Sequence, residues 1–185
     1  MEDKFVLNWS GVIKAGAFMG LVLIGYAVII YVFNLMTVNI YMASLIGISN
    51  LALAFFGLWI FGNVYKKNYV TGLFSWGNAF VTLLLISIVS SVFSSIYSYV
   101  FNAYIDPEYQ VKMMEELRYM SEELYINMNM PEEKIQEQLE RFDANGTGTP
   151  IEQLWKGIVY GGVVGGGIIS LLVALIIRKK NPIFE

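Results

Sequence analysis

The chain contains no cysteine and no histidine. Disulfides, thiolate metal sites, haem ligation through either residue, cysteine nucleophiles and every Ser-His or Cys-His catalytic arrangement are therefore excluded by inventory. Charge is missing just as systematically. No Asp, Glu, Lys or Arg occurs between Lys14 and Lys66, between Lys67 and Asp106, or between Lys156 and Arg178. A helix needs about 20 apolar residues to cross the hydrocarbon core of a bilayer. The first gap holds two spans and a turn, and the other two hold one each. A chain of 185 residues with 56% apolar and 15% aromatic content is also too apolar for an ordinary soluble domain.

What is present fits that frame. The reading is an all-α integral membrane protein, a single domain with four transmembrane helices at about 15–33, 41–61, 79–104 and 155–177. Between the third and fourth spans lies the acidic insertion 106–152, which holds twelve of the fifteen acids against four basic residues. Such a charge distribution is poor equipment for nucleic acid, so no nucleic-acid partner is expected.

Small residues recur within the spans at helical spacing. Gly16 and Gly20 share a face of the first helix. In the last, Gly157, Gly161 and Gly165 form one ladder, and Gly162, Gly166 and Ser170 form the next ridge. Such ladders let a neighbouring backbone approach closely and predict helix packing or oligomerisation. Ser87, Ser91, Ser94, Ser98 and Asn102 lie on one face of the third span. Two readings stand side by side: a packing seam whose hydroxyls bond their own backbone, or a polar lining for a solute path. The stripe holds no ionisable residue, which argues against proton relay or ion coupling. Asn50, near the middle of the second span, is expected to be buried in an interhelical hydrogen bond, with a contact to a solute as the alternative.

At Asp106-Pro107 the membrane helix should kink or end. Met113, Leu117, Met120, Leu124 and Met128 then form an apolar stripe, followed after Pro131 by a second one of Ile135, Leu139 and Phe142. Together they predict an amphipathic helical hairpin, turning at Asn127–Pro131 and docking through these residues on the bundle or on a partner. Asp143–Pro150 reads as a loop returning the chain to the membrane.

Other motifs are weaker. Met113, Met114, Met120, Met128 and Met130 suggest Cu(I) by softness, but at helical spacing they read as adaptable apolar filler. The stretch from Asp143 resembles the start of a calcium loop but has Leu154 where the bidentate acid belongs. Asn145-Gly146-Thr147 is a formal glycosylation sequon. The adjacent acid pairs 115/116, 122/123 and 132/133 read as a solvated face. No cofactor and no metal site is expected.

Topology follows from basic residues. Lys4, Lys14, Lys66, Lys67, Arg178, Lys179 and Lys180 all fall on one side, which the positive-inside rule makes cytoplasmic. Both termini are then cytoplasmic and 106–152 is exterior.

Ser75-Trp76-Gly77-Asn78-Ala79-Phe80, Tyr97-x-Tyr99, and Tyr104-Ile105-Asp106-Pro107-Glu108 precede an acidic amphipathic segment and a Gly-rich last span. This pattern resembles a bacterial membrane family of unknown function, domain-of-unknown-function family 4199, best known from Bacteroidetes. The resemblance covers essentially the whole chain. It implies an inner-membrane location with 106–152 periplasmic, and it carries over no catalytic residue. Three functions follow in order of expectation. The first is a non-catalytic assembly or regulatory protein, engaging a protein partner through the hairpin or a second copy through the Gly-rich fourth span. The second is a small transporter or channel subunit using the serine face and Asn50. An enzyme comes last, since the residues most chemistries need do not converge.

Overall fold

The four longest helices each open on a polar side chain that occupies a free backbone N–H of the first turn. In the computed structural model, which describes residues 6–35, 39–146 and 148–178, Asn8 accepts from the Gly11 amide at 2.8 Å and starts α1 (Trp9–Val32). Asn39 accepts from Met42 at 2.9 Å and starts α2 (Ile40–Tyr69). Ser75 caps α3 (Trp76–Val100), which ends in a π-helical turn, Phe101–Ile105. Asp106 then caps α4 (Pro107–Asn127), with Pro107 at the first helical position. After the turn at Asn129, whose φ is 54°, comes α5 (Glu132–Gly146). Thr149 and Glu152 form a reciprocal capping box on the last span, composed of α6 (Pro150–Lys156), a π-helical segment Gly157–Gly165 and α7 (Gly166–Ile177). No strand occurs among the described residues. Lys4, Thr147, Lys179 and Lys180, and the side chain of Asn145, lie outside them.

Four helices are long and apolar enough to cross a membrane: Trp9–Val32, Ile40–Tyr69, Trp76–Ile105 and Pro150–Ile177. The fold is thus all-α with four candidate spans. The third is central. Its apolar window is 44% buried, against 22–33% in the others, because it packs on α1, α2 and the last span. Val12, Leu58, Tyr65, Leu83, Ile86 and Val173 form the shared core. Phe18, Leu51 and Ile168 point outward, as expected of side chains whose solvent is lipid.

Glycine permits close helix approaches on two sides of α3. A Cβ at Gly16 would stand 2.9 Å from the Ile86 carbonyl, and one at Gly20 3.2 Å from that of Ser90, so α1 and α3 run side by side almost backbone to backbone. On the other side of α3, Gly157 meets Ser95, Gly162 meets Ser91, and Gly166 meets Ser87. This corrects the expected ladder at 157, 161 and 165. A π turn closes through i→i+5 bonds and so takes up an extra residue. The packed face therefore runs 157, 162, 166, 170. Gly161 faces open space, and the nearest atom to a Cβ at Gly165 is its own helix's Tyr160 carbonyl, at 3.1 Å.

The helices are tied at both ends. At the end bearing the basic residues, the Asn8 amide donates to the Tyr65 hydroxyl at 2.8 Å, and Lys66 Nζ donates to the Ile177 carbonyl. There a cation meets the negative end of a helix dipole. At the opposite end, Tyr31 donates to Asp106 Oδ2 at 3.1 Å. A second correction concerns α5, which continues through Asp143 to Gly146, so the calcium-loop-like stretch begins inside a helix.

Candidate functional site

Where α2 leaves the last span, a cleft of about 400 Å³ opens. Its floor is the serine face of α3, its walls are α1 and α2, and its far side is the π segment. The structure divides the serines between two roles. Ser87 and Ser91 are buried against Gly166 and Gly162. Ser87 donates across the interface to the Gly162 carbonyl at 3.2 Å, while Ser91 and Ser94 bond back to Ile88 and Ser91. All of these, and the exposed Ser98, also line the cleft. Seam and lining are thus two sides of one stripe.

Two further serines escaped the sequence reading. Ser90 and Ser95 lie one residue beside the stripe and are 1% and 6% exposed. Among the described residues the hydroxyl of Ser90 has no hydrogen-bond partner, and neither has that of Ser170. Asn50 departs from expectation. It is exposed and lines the cleft, and the polar contact between α1 and α2 is made next door by Tyr26 and Ser49. Its place in the sequence did not fix the face of α2 that the amide occupies.

Two further cavities neighbour the cleft. A second cavity of about 250 Å³ shares Leu23, Ser94, Ser98 and Gln153 with it and adds Tyr31, Tyr97, Asn102 and Met113. A third, about 420 Å³, shares Asn102, Gln110 and Gln153 with the second and reaches Arg118 and Asp143 on α4 and α5. Gln153 lines all three. It is held by donating to the Gly148 carbonyl at 3.1 Å. The series runs from an uncharged serine floor, past tyrosines and amides, to an ion pair: Arg118 Nε lies 3.2 Å from both oxygens of Asp143.

Beside the second cavity, the ring of Tyr31 meets Phe101 edge-on at 4.8 Å and Tyr109 at 4.9 Å. Asp106 accepts from Tyr31 on one oxygen and from the Tyr109 amide on the other, at 3.0 Å, so one carboxylate joins α1 to the start of α4. Burial pushes the Tyr109 phenol above its ordinary range, and the proximity of Tyr31 and Asp106 adds to it.

α4 and α5 pack on each other, burying Met120, Ile135 and Leu139, with Leu117 and Phe142 half-buried. Leu124 is 37% exposed, so the stripe is not a surface docked around Leu117 and Leu124. Instead Met113 lines the cavity beside α1 and α3. The five methionines of 113–130 occupy separate surroundings. Met114 and Met130 line different cavities and Met128 is exposed. Among the described residues no three Asp or Glu side chains come together as a metal-binding group.

A family model described as a protein of unknown function, DUF4199, matches residues 14–179. No curated protein and no solved structure matches the chain.

Proposed function

The chain belongs to the DUF4199 family, whose function is unknown, and from that premise we propose a non-catalytic role: assembly or regulation of a protein partner through the α4–α5 hairpin. In this reading the protein sits in a bacterial inner membrane with cytoplasmic termini. The acidic hairpin lies in the periplasm, on the side opposite Lys66, Lys67 and Arg178. The observation that supports it is the hairpin's turn, where Leu124, Ile126 and Met128 are exposed. Among the described residues of the hairpin, only Met120, Ile135 and Leu139 are buried. A core that small does not offset the ordering of forty residues at about 1–2 kcal/mol each, so the hairpin gains from a partner. Co-purification in mild detergent tests this. The full chain should bring down one protein in fixed stoichiometry, and Leu124→Glu with Met128→Glu should release it without disturbing membrane insertion. Equal recovery with both variants would refute the reading.

The neighbouring cavities, which share lining residues, favour a second reading, passage of a small solute along the serine face. Solute flux in proteoliposomes that is lost on Ser94→Leu would support it.

A further inference from the structure

We propose that the cleft between α2 and the π segment is a binding site for a single-chain, uncharged amphiphile: an acyl chain carrying a hydroxyl or ester group, admitted from the bilayer between Asn50 and Gly161. This inference stands whether or not the hairpin has a partner.

The first observation is Ser90. The residue is 1% exposed and lines the cleft, and among the described residues its hydroxyl has no partner. The neighbouring Ser91 and Ser94 return their protons to carbonyls of α3, but Ser90 does not. A hydroxyl at this depth, with hydrocarbon outside the bundle, is unfavourable until a polar group joins it. The hydroxyl is shielded where it stands, and turning about its Cα–Cβ bond toward the cleft lets an ester or hydroxyl oxygen on the ligand accept from it and remove the deficit.

The remaining chemistry narrows the class. Among the described residues no ionisable side chain lines this cleft, so a charged headgroup would stand there without a counter-ion from them. Met19, Leu23, Ala54, Leu58 and Ile169 provide an apolar wall on which a methylene chain packs. The volume, about 400 Å³, falls low in the range of roughly 300–1,000 Å³ typical of ligand pockets. It accommodates one chain with a small neutral head, not a two-chain lipid. The mouth is open by construction. Asn50 and Gly161 are exposed, and a Cβ at Gly161 would meet nothing within 4 Å. Packing does not demand glycine at 161, whereas it does at 162 and 166, where a Cβ would collide with Ser91 and Ser87.

The test uses the full chain in nanodiscs of phosphatidylethanolamine and a monoacylglycerol with a mid-chain diazirine as probe. Irradiation should label Leu23, Ala54 and Ile169, and unlabelled monoacylglycerol should compete. Gly161→Phe fills the mouth without touching the helix interface and should cut that labelling at least about tenfold. Ser90→Ala should weaken competition about five- to tenfold, the loss of one hydrogen bond. Its thermal midpoint should stay equal or rise, since an unpartnered buried hydroxyl has been removed. Three outcomes overturn the proposal. One is labelling spread evenly over lipid-facing residues such as Leu51 and Ile168. Another is cleft labelling indifferent to Gly161→Phe and Ser90→Ala. The third is displacement by added phosphatidylethanolamine at the potency of monoacylglycerol, which would make the occupant a structural bilayer lipid.

Discussion

Gly161→Ala and Gly162→Ala differ by one position and by one physical term. Both replace glycine in the same helical segment, so both gain the same propensity, up to about 1 kcal/mol for Gly to Ala in a helix. At Gly161 the new methyl meets nothing within 4 Å. At Gly162 it lies 2.8 Å from the Ser91 Cβ and 3.3 Å from the Ile88 Cα, so α3 or the last span must move. Overpacking of that kind costs about 1–3 kcal/mol. The same displacement lengthens the 3.2 Å bond from Ser87 to the Gly162 carbonyl, which contributes roughly 0.6 kcal/mol by analogy with interhelical bonds in membranes. Gly161→Ala should therefore be neutral or stabilising by up to about 1 kcal/mol, and Gly162→Ala should lie roughly 1–3.5 kcal/mol below it. At about 2–4 °C per kcal/mol for a chain of this size, thermal midpoints in detergent should separate by roughly 2–14 °C. Ser91→Gly removes the atoms that the methyl strikes and should recover part of the loss in the Gly162→Ala background. If Gly161→Ala proves the more damaging, or Ser91→Gly rescues nothing, the packed face has been assigned to the wrong glycines.

Four further outcomes follow from the same contacts. Lys66→Met removes the cation from the Ile177 carbonyl and should lower unfolding stability by about 0.5–2 kcal/mol. Asp106→Ala deletes the α4 cap and the Tyr31 tie together; it should cost about 1–2 kcal/mol and speed hydrogen exchange in the first turn of α4, whereas Tyr31→Phe should affect only the tie. Arg118→Ala breaks an ion pair whose side chains are 40% and 49% exposed; after solvent screening it should cost no more than about 1 kcal/mol, read as faster exchange in α5 with the spans unchanged. A cysteine at Gln136 should react with an impermeant thiol reagent applied from the periplasmic side while one at Asn68 should not, and the reverse pattern would invert the proposed topology.

The charge-free intervals bounded by Lys14, Lys66, Lys67, Asp106, Lys156 and Arg178 made four spans legible, because the cost of charge in hydrocarbon leaves a mark in composition alone. Interfaces were less legible. Gly16 and Gly20 lie in a regular α-helix, and periodicity assigned them one face correctly. Gly157 to Gly165 lie where the helix closes through i→i+5 bonds, so counting by four grouped Gly157 with Gly161 and Gly165, whereas it packs in line with the ridge of Gly162, Gly166 and Ser170. The serine stripe was visible, but its neighbours Ser90 and Ser95 were not singled out. A helix enclosed on several sides buries residues away from its obvious stripe, and only its neighbours show which. Thr149-Pro150-Ile151-Glu152 did carry a readable signal, since Ser or Thr followed three residues later by Glu marks a helix start. That start fixes Gln153 where the three cavities meet.

The wide turns of the last span also set where its length can change. A residue deleted between Gly157 and Gly162 would leave enough chain for an ordinary α-helix. The two glycines would then stand four apart instead of five, and four residues of α-helix turn through about 400°, so both would still face α3. A residue deleted from the regular α7 has no wide turn to absorb it. The parts on either side would rotate by about 100° relative to each other, and the Gly157–Ser95 and Gly166–Ser87 contacts could not both survive. The surplus residue therefore acts as slack in the phase of the span. Single deletions should be tolerated between Gly157 and Gly162 far better than within Gly166–Ile177.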